Sequence, residues 1–249
     1  MAVLSDVHAN AGALVAATAD IAARRPDAVV VLGDLLTYGC EPHAVLDGLE
    51  ELGRRLPLYV VKGNHDELYF RPPLSPTAPD VGRLAAFVRE SVEWTLQRID
   101  GAEFEQRFPW RERLTVEGLL FAHANPFPYG DWTYLNTEPE LRRAAATLEG
   151  GGSHIGVFGH THRRRAVSIR DGAVVLAPEL LASDGQPVVV LNPGSVGQPR
   201  RSGSSGLRVT FTDLRYDVAA HTRAIAASDL SEQTKARLLG YFPTPSVEG

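Results

Sequence analysis

Eight residues able to grip a cation or a phosphate recur where apolar runs stop: Asp6 and His8, Asp34, Asn64 and His65, His123, and His160 and His162. Five of the eight histidines of the 249-residue chain fall in this set, a concentration that histidines scattered through a core or over a surface would not produce. Carboxylate, amide oxygen and imidazole are donors shared by Mn, Fe, Zn, Co and Ni, so the set leaves the metal open. Seven such ligands exceed the four of a structural zinc site and suit two cations. Two cations about 3.5 to 4 Å apart lower the pKa of a bridging water towards about 7 and clamp the entering and leaving oxygens of an in-line displacement. The chemistry to expect is hydrolysis of a phosphoester.

These residues need elements that bring them together. Residues 1–4 read as a short strand running into Asp6 and His8, residues 28–32 as a strand covered on both faces that ends in Gly33-Asp34, and residues 58–61 as a third that ends in Gly63-Asn64-His65-Asp66. Residues 119–122 run into His123, and residues 155–158 into Gly159-His160-Thr161-His162. Open α/β sheets place their ligand crevices at such carboxyl ends. Helical spacing is expected over residues 11–25, 42–55, 81–99, 138–148 and 230–239. Hairpins are expected around Glu117-Gly118 and Asp171-Gly172, a strand over 187–191, and a last hairpin from 207–211 and 216–220. Four prolines between Arg71 and Pro79 mark a loop, and the aromatic stretch 125–134 marks another beside the site.

Composition narrows the classes. A hydrophobic content of 44% supports a substantial core, and with no linker or tandem repeat the expectation is a single domain over 1–249. A net charge of −5 argues against a nonspecific nucleic-acid binder, so no stable nucleic-acid partner is expected. The single cysteine, Cys40, excludes an intrachain disulfide. No stretch approaches the roughly 20 apolar residues of a membrane span, and Met1-Ala2-Val3-Leu4 lacks the charged start and apolar core of a signal peptide. A cytoplasmic protein with no membrane partner is the expectation; oligomeric state stays open.

The order of blocks, Asp6-x-His8, Gly33-Asp34, Gly63-Asn64-His65-Asp66, His123 and Gly159-His160-x-His162, resembles the calcineurin-like metallophosphoesterase family over roughly residues 3–200. With Asn192-Pro193-Gly194-Ser195-Val196-Gly197-Gln198-Pro199-Arg200 it is similar to the small bacterial and archaeal branch of phosphodiesterase or diadenosine tetraphosphatase-like proteins. The resemblance implies an α/β fold, a four-layer α/β/β/α sandwich of two mixed β-sheets flanked by helices. It also implies two divalent cations, Mn, Fe or Zn foremost. Asp6, His8 and His162 would hold one, Asn64, His123 and His160 the other, and the Asp34 carboxylate would bridge them, while a hydroxide shared by the two cations would attack phosphorus. His65 would be the catalytic residue that hydrogen-bonds the phosphate or protonates the leaving oxygen, a role suited to a group titrating near neutrality.

Gly33-Asp34-Leu35-Leu36-Thr37-Tyr38-Gly39 lacks the second aspartate and the arginine that protein phosphatases of the family carry, which favours small phosphodiester or nucleotide-type substrates over phosphoproteins. Ala9 stands where the branch usually has glycine, and His123-Ala124-Asn125 replaces a His-Gly-Ser type sequence. A phosphomonoesterase of the same family, or a non-catalytic metal-binding scaffold on the same fold, is the alternative. Substrate contacts are sought at Tyr38 and in the segment from Asn192 through Gly194 to Arg200, whose backbone donors would form an anion nest or else a structural turn. Asp66 would orient His65 or cap the turn after it, and Arg163 to Arg165 would attract an anion or start a solvated strand. Cys40, His43, His154 and His221 are read as structural.

Overall fold

Strands β1 (Ala2–Leu4), β2 (Val29–Val31) and β3 (Leu58–Val60) pair in parallel in that order, joined by helices α1 (Ala11–Arg24) and α2 (Pro42–Arg55). The computed structural model describes residues 1–70, 80–170, 173–176, 187–198 and 216–242. The proline-rich stretch 71–79, the Asp171-Gly172 turn, the expected strand 207–211, and Arg200 lie outside them.

The three valines of β2 show how a continuous apolar run serves two cores. Val29 and Val31 pack towards the helices with Leu14, Val45 and Leu49, while Val30 faces the other way. There it meets the second sheet, of order β4-β5-β6-β9-β7-β8, made of β4 (Arg113–Val116), β5 (Leu119–Ala122), β6 (Ile155–Phe158), β7 (Arg165–Arg170), β8 (Ala173–Leu176) and β9 (Val188–Asn192). Period-2 alternation repeats in β9: Val189 and Leu191 point between the sheets, whereas Val188 and Val190 face helix α5 (Glu138–Gly150) with Leu141, Ala144 and Leu148. The layers are therefore helix, sheet, sheet, helix. Among the described residues the first sheet is parallel throughout; the second is mixed, with β5, β6 and β9 parallel and β4, β7 and β8 antiparallel to their neighbours.

Three differences from the sequence pattern have local causes. The helix expected over 81–99 is shorter, α3 (Ala86–Leu96), because the chain makes a single 3₁₀ turn at Val81–Arg83 and runs extended at Leu84 and Ala85. A seven-residue helix, α4 (Gly101–Arg107), follows, started by the Asp100 carboxylate on the N–H groups of Ala102 and Glu103. The strand expected over 216–220 is instead the start of α6 (Val218–Ala227): Asp217 accepts the N–H of Ala220 at 2.8 Å and caps an alanine-rich turn. Helix α7 (Glu232–Leu239) packs on α3 and α6, while α6 packs on α1. No helix of the described residues is long and apolar enough to cross a membrane.

Candidate metal centre

Asp6 and His8 follow β1, Asp34 follows β2, Asn64 follows β3, His123 follows β5, and His160 and His162 follow β6, so every expected ligand leaves the carboxyl end of a parallel strand. Five of them hold a left-handed backbone: Asp6 at φ 54°, His8 at 49°, Asp34 at 55°, His160 at 64° and His162 at 57°. Each costs on the order of 1 to 2 kcal/mol for a residue with a Cβ, and persists only where neighbours over-determine it. Here the N–H groups of Asp6 and His8 donate to the carbonyls of Gly33 and Asp34, both at 3.0 Å, and that of His160 donates to the Asp6 carboxylate at 3.2 Å. The loops brace one another.

Each of the four histidines ties one ring nitrogen to a backbone carbonyl. His8 Nδ1 donates to Leu36 at 2.9 Å, His162 Nδ1 to Gln198 at 3.0 Å, His123 Nδ1 to Leu32 at 2.6 Å and His160 Nε2 to Trp132 at 3.0 Å. These anchors fix the tautomers. His8 Nε2 then faces His162 Nε2 at 3.0 Å, and His123 Nε2 faces His160 Nδ1 at 3.2 Å. In neutral rings these are lone pairs aimed at lone pairs, which is unfavourable until a cation or a proton lies among them.

Electrostatics disfavours the proton at two of these positions. Burial, then the charge of His162, takes His8 down to about 3, and burial, then His123, takes His160 down to about 3. Burial pushes Asp6 up, but His162 and His123 overcome it and hold the carboxyl at about 2; His123 likewise keeps Asp34 well below the ordinary carboxylate range despite burial. Burial opposes protonation of His123 as well, yet Asp34 raises it to about 9, so cation and proton compete for this ring. The donor set fits divalent cations in two groups, Asp6, His8, Asp34 and His162, and Asp34, His123 and His160, with the donor atoms of each group within 4.8 Å of one another. Asp34 belongs to both, its Oδ2 lying 3.8 Å from His8 Nε2 and 3.4 Å from His123 Nε2. Asn64 Oδ1 sits 3.0 Å from His123 Nε2, beside the second group.

His65 stands at the edge of this cluster. Its ring centroid is 5.5 Å from that of His8, its Nε2 is 3.2 Å from the Tyr38 hydroxyl, and its buried Nδ1 has no partner among the described residues. Tyr38, expected as a substrate contact, has its ring 4.7 Å from that of His8. Asp66 neither caps the next turn nor reaches the His65 ring; its carboxylate accepts the N–H groups of Asp34, Leu35 and Gly63.

In the segment read as an anion nest or else a structural turn, four backbone donors are taken by the chain. Gly194 N–H donates to Asn192 Oδ1 at 2.9 Å, Val196 N–H to the Ser5 carbonyl at 2.9 Å, Gly197 N–H to that of Asp6 at 3.1 Å and Gln198 N–H to Ser195 Oγ at 2.8 Å. The Asn192 amide donates to the Gly159 carbonyl at 2.5 Å and to Thr161 Oγ1 at 3.0 Å. Asn192 and Gly194 build a turn that staples β9 to the ligand loops. Arg165 is tied to the carbonyls of Leu135 and Asn136 at 3.1 and 3.2 Å. Sequence patterns did not mark Ser5, whose hydroxyl donates to the Asp6 carboxylate, nor His221, which pairs with Glu41 at 3.2 Å. The aromatic loop does border the centre: the Tyr134 ring stacks on His160 at 4.0 Å.

Comparison with known proteins agrees with this geometry. Residues 1–214 match the calcineurin-like phosphoesterase superfamily domain. An uncharacterised protein of Methanocaldococcus jannaschii is 26% identical over 253 residues, covering 96% of each chain. Among solved structures, a metallophosphoesterase from Sphaerobacter thermophilus shares the fold with a TM-score of 0.65 at 24% identity, over 96% of this chain and 98% of its own. A hypothetical protein from Pyrococcus horikoshii does so with a TM-score of 0.73 at 16% identity, over 96% of both chains.

Proposed function

The chain belongs to the calcineurin-like phosphoesterase superfamily, and from that premise we propose that it hydrolyses phosphodiester or nucleotide-type substrates with two divalent cations held at the strand ends. The observation that carries the proposal is the pair of facing histidine couples, His8 with His162 and His123 with His160, that share the Asp34 carboxylate. Asp6, His8 and His162 would hold one cation, Asn64, His123 and His160 the other, with Asp34 reaching both. When bound, such cations supply a water deprotonated near neutral pH and offset the charge of the phosphoryl oxygens.

The chain's own residues do the rest. The N–H anchors of the four histidines aim the ligating lone pairs, and the Asp66 clamp holds the Asp34 loop against the Asn64 loop. Burial lowers the pKa of His65, so at neutral pH its ring is neutral and offers one N–H to a phosphoryl or leaving-group oxygen. The Tyr38 hydroxyl on Nε2 fixes the orientation of that ring.

Two recesses support a diester over a monoester. One borders His123 and is walled by Phe127, Tyr129 and Trp132; the other borders His8 and Tyr38. One recess lies beside each cation group, as a phosphorus bearing two substituents requires. The test is Mn²⁺-loaded protein with bis-p-nitrophenyl phosphate and p-nitrophenyl phosphate. Turnover of the diester, abolished by Asn64→Ala and His123→Ala, is the expected result; turnover of the monoester alone would support the phosphomonoesterase alternative, and no turnover the scaffold.

A further inference from the structure

His160 differs from the other three histidines of the centre: it turns Nδ1 towards His123 and ties Nε2 to the Trp132 carbonyl at 3.0 Å, whereas His8, His123 and His162 present Nε2. Its anchor is also the one of the four that the aromatic loop carries, since His8, His162 and His123 bond Leu36, Gln198 and Leu32. The loop is shaped around that carbonyl. Asn125, 4% exposed, donates to the carbonyls on either side of it, Asp131 at 2.8 Å and Thr133 at 3.0 Å, and accepts the N–H of Phe127 at 2.9 Å. A serine there, with a single O–H, could serve only one of the two carbonyls. One further tie crosses to another strand end. The Tyr129 hydroxyl donates to Glu67 Oε1, and Glu67 follows Asn64-His65-Asp66 past β3. The Glu67 side chain is fully buried and pairs with Lys62 Nζ at 3.3 Å, which lies 4.8 Å over the Tyr129 ring. A carboxylate at this depth is unfavourable unless its charge and lone pairs are matched, and Lys62 and Tyr129 match them.

We propose that Glu67 and Tyr129 are positioning residues for the second cation: their hydrogen bond holds the aromatic loop where the Trp132 carbonyl keeps the N–H of His160 on Nε2 and leaves the Nδ1 lone pair to the cation. The proposal rests on the metal centre proposed above and adds to it two residues outside the ligand set. A neutral imidazole carries its hydrogen on either nitrogen, and the hydrogen bond made by one nitrogen decides whether the other is free to ligate. Removal of the Tyr129 hydroxyl leaves the loop its internal bonds to Asn125 but cuts this tie to the loop after β3. The Trp132 carbonyl then drifts, and His160 takes the other tautomer, with an N–H aimed at the cation position. The tie joins the loop of Asn64 to the loop that anchors His160, so its loss falls on the second cation group. The anchors of His8 and His162 lie on other segments, which makes the effect selective.

The experiment uses Tyr129→Phe, which removes only the hydroxyl of a half-buried side chain and keeps the ring against Trp132 and Lys62. Calorimetric titration with Mn²⁺ is carried out in two backgrounds: His162→Ala, which keeps the second cation group, and His160→Ala, which keeps the first. The expected result of adding Tyr129→Phe is about tenfold weaker binding in the His162→Ala protein and a change within about threefold in the His160→Ala protein. NMR correlation of ring nitrogens with ring hydrogens in the cation-free protein reads the tautomer without any metal. His160, identified by its absence in His160→Ala, is expected as the Nε2–H form alone in the unsubstituted protein and as a mixture in Tyr129→Phe. Glu67→Gln keeps an acceptor for the hydroxyl and is expected to keep the single tautomer, which Glu67→Ala loses. Equal weakening in both backgrounds is what a merely structural contact would produce; that result, or a single tautomer in Tyr129→Phe, overturns the role. Absence of Mn²⁺ uptake by the unsubstituted protein overturns the metal centre and this role with it, whereas uptake with unchanged affinities in Tyr129→Phe overturns the role alone.

Discussion

Asp34 and Asp66 hold each other's loops: Asp66 Oδ2 accepts the backbone N–H of Asp34 at 2.8 Å, and Asp34 Oδ1 accepts the N–H of His65, the residue before Asp66, at 2.9 Å. Asp66 also accepts the N–H groups of Leu35 at 2.9 Å and Gly63 at 2.8 Å. Burial and the nearby Asp34 carboxylate push Asp66 up to about 7 against the pull of these three donors. Asp66→Ala would orphan three buried N–H groups and is expected to cost on the order of 3 kcal/mol or more. Asp66→Asn keeps an acceptor for two of them and should cost clearly less. Urea unfolding of both variants at matched metal content measures the difference; no loss in Asp66→Ala would mean that the clamp carries no stability.

The split of the histidines between two groups predicts unequal metal loss. His162 Nε2 lies 3.3 Å from Asp6 Oδ1 and faces His8, whereas His160 Nδ1 faces His123. His162→Ala should therefore weaken mainly the site with Asp6 and His8, and His160→Ala mainly the site with Asn64 and His123. Each variant is expected to retain about one equivalent of Mn²⁺ after dialysis, against about two for the unsubstituted protein. Elemental analysis reads this directly, and loss of both equivalents in both variants would count against two separable sites.

Cation binding should also stabilise the fold. The facing lone pairs of His8 and His162 are relieved only when something positive lies among them, so ligand binding favours the folded chain, in which those atoms converge. At a free concentration of 100 times Kd the gain is about 2.7 kcal/mol for each site. Dialysis against a chelator is expected to lower the melting temperature, and Mn²⁺ to restore it in a concentration-dependent way. Asn64→Ala should reduce the restored increment. A melting temperature indifferent to Mn²⁺ would show that the centre takes no such cation.

The candidate ligand set was legible in the sequence because its members lie just past apolar runs, and the carboxyl ends of parallel strands converge. Asp6, Asp34, Asn64, His123 and His160 needed only that rule. What escaped is carried by hydrogen bonds between residues far apart in the chain. Whether Asn192 to Gln198 binds an anion or staples the fold depends on Val196 meeting Ser5 and Gly197 meeting Asp6, and no local pattern encodes those partners. His221 looked like an isolated histidine because its partner, Glu41, lies 180 residues away. The 216–220 segment was mistaken for a strand because its apolar residues decided the pattern, while in the structure the Asp217 cap starts a helix there.

Gly159, immediately before His160, ties together strand ends of the second sheet and lies against Ser5 and Asp6 after β1. Its N–H donates to the His123 carbonyl at 2.7 Å, and its carbonyl accepts from Asn192. A Cβ at this position would run into the Ser5 hydroxyl and lie 2.8 Å from Asp6 Oδ2. Ser5 cannot swing away without releasing the hydrogen bond to the Asp6 carboxylate, and Asp6 cannot move without losing its contacts with the His160 N–H and the His162 ring. Both neighbours are fully buried, so overpacking at this point is expected to cost about 1 to 3 kcal/mol and to displace Asp6 before any other ligand. Gly159→Ala should therefore weaken the cation site of Asp6, His8 and His162 while sparing that of Asn64, His123 and His160. Ser5→Gly, which removes the obstructing hydroxyl, should recover part of the loss in the double variant. Failure of that rescue in metal content and melting temperature alike would place the requirement for glycine in the backbone of the loop and not in the contact with Ser5.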